Sequence, residues 1–132
     1  IWGTYFGDDG FDDIYSLSLD MNEDLFIGGK ANSKTGIATT DGYITSLGNW
    51  NNGFFAKFSK TGNHIYGSYL IGPVYHTAVD IDNNYFINTP YRMLYRFGKA
   101  ETGINEAIQH RFQAGSKHGF RSSVFFSNFA SK

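Results

Sequence analysis

Apolar positions along this chain fall into short alternating runs separated by clusters of Gly, Asp, Asn, Ser and Thr, a pattern of β-strands and turns. Residues 1–6 form the first run, closed by Gly7. Residues 13–20 follow, with Ile14, Leu17 and Leu19 apolar, and Asn22-Glu23-Asp24 turns the chain into Leu25-Phe26-Ile27 ahead of Gly28-Gly29. This predicts a hairpin. A polar connection over residues 30–52 leads to a second hairpin, with strands at 53–59 and 64–70 around Lys60-Thr61-Gly62-Asn63. Phe54, Ala56 and Phe58 share one face of its first strand. Two hairpins in series predict a four-stranded antiparallel unit, the size of one propeller blade.

The pattern then begins again. Trp2-Gly3-Thr4-Tyr5-Phe6-Gly7 returns 64 residues later as Tyr66-Gly67-Ser68-Tyr69-Leu70, with Ile71 before Gly72. Asp80 stands 60 residues after Asp20, and Phe86-Ile87 the same distance after Phe26-Ile27. The third strand of this second unit is expected at Val124-Phe125-Phe126-Ser127-Asn128-Phe129, matching Gly53-Phe54-Phe55-Ala56-Lys57-Phe58. That placement makes residues 90–121 an insertion opened by Pro90, with Ile104, Ile108 and Phe112 at helical spacing and Gly115 as a stop. The expected organisation is therefore residues 1–72, the final strand of one blade plus one complete blade, and residues 73–132, a divergent and incomplete second blade. The fold class is all-β, with about two four-stranded propeller blades. Rings use roughly 4–8 blades, so the two are expected to belong to a larger ring or assembly, in which neighbours cover each other's apolar faces.

Composition supports strands over helices: 18% of residues are aromatic and 16 are Gly. No cysteine is present, which removes disulfides, thiolate zinc sites and a Cys nucleophile. A net charge of −1 gives no bulk attraction to nucleic acid. No run approaches the roughly 20 apolar residues of a membrane helix. The chain starts at Ile1 and reads as a processed product or a piece of something longer. Charge is nevertheless segregated. Residues 1–29 hold seven carboxylates and no Lys or Arg, whereas residues 91–121 carry Arg92, Arg96, Lys99, Arg111, Lys117 and Arg121 against Glu101 and Glu106. Such asymmetry can dock neighbouring modules or bind a polar ligand; two solvated loops of opposite sign are the plainer reading.

Chemistry-bearing constellations are few. Asp8, Asp9, Asp12 and Asp13 lie within six residues and offer the oxygen ligands that Ca²⁺ takes. Their spacing matches no complete calcium loop, and a capped turn between blades is the plainer reading. Asp20-Met21-Asn22-Glu23-Asp24 and Asp80-Ile81-Asp82-Asn83-Asn84 open like EF-hand loops but lack the later Gly and Glu, so hairpin turns are expected. His64, His76, His110 and His118 have no metal-binding spacing, and no nucleophile elbow, phosphate loop or dinucleotide fingerprint is present. Trp50, flanked by Asn49 and Asn51, suits stacking on a sugar or gripping a partner, or packing over a blade edge.

Trp2-Gly3-Thr4-Tyr5-Phe6-Gly7, Asp12-Asp13, Leu19-Asp20, Phe26-Ile27-Gly28-Gly29 and Gly53-Phe54-Phe55-Ala56-Lys57-Phe58 together resemble the bacterial SBBP-type β-propeller repeat. The resemblance covers residues 1–72 well and 73–132 poorly: Tyr66 stands in place of the Trp, and Asn88-Thr89 in place of Gly28-Gly29. It implies a module of an exported or cell-surface bacterial protein, with architectural rather than catalytic conserved positions. The expected function is non-enzymatic binding or scaffolding, through Trp50, Asn49, Asn51, Arg92, Arg96 and Arg111. The expected partners are neighbouring blades, other protein subunits or a glycan. A carbohydrate-active propeller, as lectin, glycoside hydrolase or lyase, is the alternative.

Overall fold

The structure, a computed structural model, describes residues 1–49, 52–90 and 93–98 in full, and residues 110–111 and 123–128 as strand backbone. The first sheet contains β1 (Asp13–Leu19), β2 (Leu25–Lys30), β3 (Gly53–Phe58) and β4 (His64–Leu70), antiparallel and in sequential order. The second is built from β5 (His76–Val79), β6 (Tyr85–Thr89) and β7 (Met93–Gly98), also antiparallel. Beyond β7 lie β8 (His110–Arg111) and β9 (Ser123–Asn128), with β9 parallel to β7 and β8 outermost. The protein is all-β, with no helix among the described residues.

Three turns fold alike. In the first, the amides of Asn22 and Asp24 donate to Asp20 Oδ1 at 2.8 and 2.9 Å, and Glu23 N–H donates to Asp20 O. In the second, the amides of Asp82 and Asn84 donate to Asp80 Oδ1 at 2.9 and 2.8 Å, and Asn83 N–H donates to Asp80 O. The hydroxyl of Ser59 plays the same part between β3 and β4, accepting from Thr61 and Asn63. The fourth residue of each turn is left-handed: Glu23 at φ 66°, Asn83 at 60° and Gly62 at 89°. The expected hairpin turns at 20–24 and 80–84 are thus present, built on local side-chain hydrogen bonds.

The sheets pack face to face. Phe26, Phe55, Tyr66 and Leu70 of the first meet Tyr85, Ile87, Tyr95 and Phe97 of the second, with Val74 between them. Phe26 and Tyr85 stack at 3.7 Å between centroids. Full burial of each such ring contributes about 1.5–3 kcal/mol. Gly28 keeps β2 close to this seam, since a Cβ there would strike the side chain of Val74. Beside it, Thr77 Oγ1 lies 2.9 Å from Ser16 Oγ and 3.1 Å from Ser18 Oγ, joining β5 to β1.

The opposite face of the first sheet has its own cluster of Ile27, Phe54, Ala56, Phe58 and Tyr69, covered by Ala31, Ile37, Ile44 and Leu47 of the 31–52 connection and by Phe6. The connection also runs along the free edge of β4: Thr39 N–H donates to Gly67 O, and Tyr69 N–H to Ile44 O.

Two expectations are corrected. Residues 1–6 form no strand. They lie against the first sheet instead, with Trp2 Nε1 donating to Lys60 O at 3.0 Å and Phe6 packed 5.0 Å from Phe54. Trp2 and Phe6 pack on the Phe58 and Phe54 rings, so the segment covers a sheet face instead of pairing as the last strand of another blade. The third strand of the second sheet is Met93–Gly98 rather than 124–129. Only residues 90–92 separate it from β6, where residues 31–52 separate β2 from β3. Ser123–Asn128 is a strand, but it is placed beyond β7. The predicted helix from Ile104 to Phe112 falls mostly outside the described residues, and His110–Arg111 within that span is strand.

Candidate functional site

The acidic loop is held by a side-chain knot. Asp12 Oδ1 accepts the amides of Asn32 and Ser33 at 2.9 and 3.0 Å, and Ser33 Oγ donates to Asp12 Oδ2 at 2.5 Å. The amides of Asp8 and Gly10 donate to Ser33 Oγ, each at 2.9 Å, and Thr35 Oγ1 donates to Asp8 Oδ2. Ser33 is fully buried, and its carbonyl accepts from Tyr69 OH at 2.8 Å. Asp13 sits apart, opening β1 opposite Lys30, and Asp9 is exposed. Among the described residues no three His, Asp or Glu side chains form a group able to hold a metal ion. The four carboxylates are brought near one another by sequence, and the two oxygens of Asp12 are spent on the turn.

Of the expected binding residues, Trp50, Asn51 and Arg92 lie outside the described residues, and Arg111 is placed only as backbone in β8. Asn49 is exposed at the end of the described part of the long connection. Arg96, on β7, donates from Nη2 to Asn84 Oδ1 at 2.8 Å. It stands over the second turn as Lys57, its counterpart on β3, stands over the first.

That first turn carries an ionic cluster the sequence did not reveal. Lys57 Nζ lies 2.8 Å from Asp24 Oδ2 and 3.3 Å from Asp20 Oδ2, and 5.1 Å from the Phe26 ring centroid. Tyr85 OH reaches across from the second sheet to Asp20 Oδ2 at 2.9 Å. Burial pushes the Asp20 carboxyl up. The Asp24 amide, the Tyr85 hydroxyl, the Asn22 amide and the Lys57 ammonium outweigh it and hold Asp20 below the usual carboxylate range. Burial, then the bond to Asp20, raises the Tyr85 hydroxyl far above its ordinary value. Both groups are locked in one protonation state near neutrality, which suits a clamp between sheets. The shallow groove beside this turn, bounded by residues 21–24 and 59–61, contains Asp24, already paired with Lys57, and Glu23, 4.0 Å from Lys60.

What the fold leaves open is apolar. Residues paired across the strands share a face, so Ile14, Leu17 and Leu19 lie on the side of the first sheet that carries Ile27 and Phe58. The covering connection and Phe6 do not reach them: they are 53%, 67% and 62% exposed. A register shift at Tyr15 re-aims the strand at its start. On the far side of the second sheet, Ala78, Phe86 and Arg96 are in register, and exposed Leu94 pairs with Asn88. These two faces are the candidate functional surface. Ile14, Leu17 and Leu19 were legible as the apolar positions of β1, but alternation alone does not tell which face of a sheet is covered.

No protein-family model matches this chain, and no curated protein or solved structure does so either.

Proposed function

We propose that the chain is a non-enzymatic binding and scaffold module built from propeller-type blades, acting through its sheet faces in an exported or cell-surface bacterial protein or complex. The observation that carries this reading is the unfilled half of a repeated packing. The two sheets share turn geometry, register and a Lys or Arg over the turn, and they meet with their first strands side by side, as neighbouring blades do. On the outer faces Ile14, Leu17 and Leu19 of the first sheet and Leu94 of the second stand uncovered. The exported setting is supported by the SBBP-type motif alone. The carbohydrate-active alternative gains no specific observation, since Trp50 lies outside the described residues.

A photo-activatable phenylalanine analogue at position 17, compared with one at Ile65 on β4, tests the reading in cells that produce the protein. Ile65 is an exposed residue of the same sheet. Cross-links to polypeptide from position 17 and not from 65 are expected. Equal cross-linking from both positions, or none from 17, ends the scaffold reading.

A further inference from the structure

The two free faces differ, and their chemistry matches one against the other. An offset of 60 residues aligns the strands, placing Leu17, Leu19, Leu25 and Ile27 over Thr77, Val79, Tyr85 and Ile87. The same offset places Ser18 and Phe26 over Ala78 and Phe86, and register across the sheet places Lys57 over Arg96. The outer face of the first sheet is thus the counterpart of the inner face of the second, and the reverse holds for the other pair. The packing inside one chain is a template for packing between chains.

Substitutions on the free faces are concerted. Inside, a hydroxyl meets hydroxyls, Thr77 against Ser16 and Ser18. At the corresponding free positions, Leu17 would meet Ala78, apolar against apolar, with His76 in the place of Ser16. Inside, Asp20 Oδ2 accepts a hydroxyl from the other sheet, that of Tyr85. At the free counterpart, Leu25 replaces the Tyr, and Asp80 needs no donor from outside. Its Oδ2 accepts Asn84 Nδ2 at 2.8 Å within its own turn. Arg96 is likewise held by Asn84 rather than left over the seam. The free faces thus present Leu17 and Ala78 in place of Thr77 and Ser18, and Leu25 in place of Tyr85, while exposed His76 stands where Ser16 does.

We propose that the occupant of the Leu17–Leu19 face is a second copy of this chain, which presents its Ala78–Phe86–Leu94 face head to tail. This rests on the scaffold reading and names its partner. Such a contact is heterologous, so it propagates into a ring or stack rather than stopping at a two-fold dimer.

Light scattering on the purified chain over a concentration series tests it, using Leu17→Asp and Ala78→Glu, both at exposed positions. The wild type should gain mass with concentration, and each variant should need at least a hundredfold higher concentration to do so. A one-to-one mixture of the two variants should recover a dimer and nothing larger, because each retains one intact face. A monomeric wild type, a mixture that stays monomeric, or an effect of Leu17→Asp without one of Ala78→Glu overturns the proposal. If either variant misfolds, isotope-mixed wild-type backbone carrying the photo-reactive group at position 17 decides. Inter-copy cross-links to residues 76–96 support the second copy. Links to a different protein sink the second copy and leave the scaffold reading standing, and an absence of polypeptide links sinks both.

Discussion

Replacing Asp20 with Asn should cost several times more stability than the same change at Asp80, although both residues occupy the first position of the same turn. In either case the amide oxygen can keep the two backbone N–H bonds that close the turn. The difference lies in the second oxygen. At Asp20 it accepts Tyr85 OH at 2.9 Å and lies 3.3 Å from Lys57 Nζ, and the side chain is wholly buried. An Asn NH₂ there would face two donors. A hydrogen bond to a charged group contributes about 1.5–3 kcal/mol net, and removing one member of a buried ion pair costs about 3–5 kcal/mol. Lys57 keeps its 2.8 Å contact with Asp24, which limits the second loss. We expect about 2–3 kcal/mol for Asp20→Asn, read as a lowered urea midpoint with unchanged slope. At Asp80 the second oxygen serves only Asn84 in its own turn, so the loss should be a minor fraction of that. The pH dependence follows the same group. The folded carboxyl of Asp20 titrates below its unfolded value of about 3.9, so its contribution is complete above that pH and is lost as pH falls through the folded pKa. Asp20→Asn should therefore flatten the acid limb of the stability curve. Equal costs at the two positions, or an unchanged acid limb, would refute the inter-sheet clamp.

Tyr85→Phe keeps the ring stack on Phe26 and removes one donor from the buried Asp20 carboxylate, and chemical denaturation should register a loss of about 1–3 kcal/mol. Glu23→Asn should stabilise by about 0.5–1 kcal/mol, measured as a rise in melting temperature, because Asn tolerates the φ of 66° better and Asn83 already fills the equivalent place. Gly28→Ala should lower the melting temperature, since the new methyl group would collide with Val74 at the inter-sheet seam. Burial against the Phe6 and Phe58 rings depresses the His64 pKa, against the pull of its bond to Tyr66 O. The unfolded chain then binds the extra proton first, so this group should begin to destabilise the fold as pH drops below about 6.5. An NMR titration placing His64 at or above that value would contradict the packing.

The strands and turns of the first sheet were legible because each is coded locally: alternation for β1, short runs of strand-forming residues bounded by turn residues for β2 to β4, and Asp or Ser at the head of each turn. The second sheet was misread at its third strand for an equally physical reason. Val124-Phe125-Phe126 resembles Phe54-Phe55 in residue type, but the counterpart of β3 preserves position relative to the turn, with Arg96 where Lys57 stands and Phe97 where Phe58 stands. A 22-residue connection between β2 and β3, spanning residues 31–52, concealed a three-residue one, 90–92, between β6 and β7. The Asp20–Lys57–Tyr85 cluster could not be found from spacing, because its members come from a turn, a neighbouring strand and the other sheet. Asp12 was visible as a carboxylate, but Ser33, the residue that commits it to a turn, lies 21 residues away.

Why serines rather than leucines of β1 face the second sheet is a question about the whole sheet. β1 alone would choose the opposite orientation, burying Leu17 and Leu19. The other strands decide, because both of their faces are apolar: Phe26 and Phe55 on one, Phe54 and Phe58 on the other. A sheet of that kind needs a layer on each side. The second sheet supplies one in full, and the 31–52 connection with Phe6 supplies the other only over β2 to β4. Completing it over β1 would bury Ile14, Leu17 and Leu19, now more than half exposed, for roughly 3–5 kcal/mol at about 1.5–3 kcal/mol per fully buried side chain. Association costs an estimated 4–15 kcal/mol in lost translational and rotational freedom, so that stripe cannot hold a partner unaided. The opposing face must contribute comparable burial through Phe86 and Leu94. In the proposed head-to-tail contact both faces contribute, so a single contact should hold one pair of copies at raised concentration, and engagement of both faces on each copy should extend the assembly.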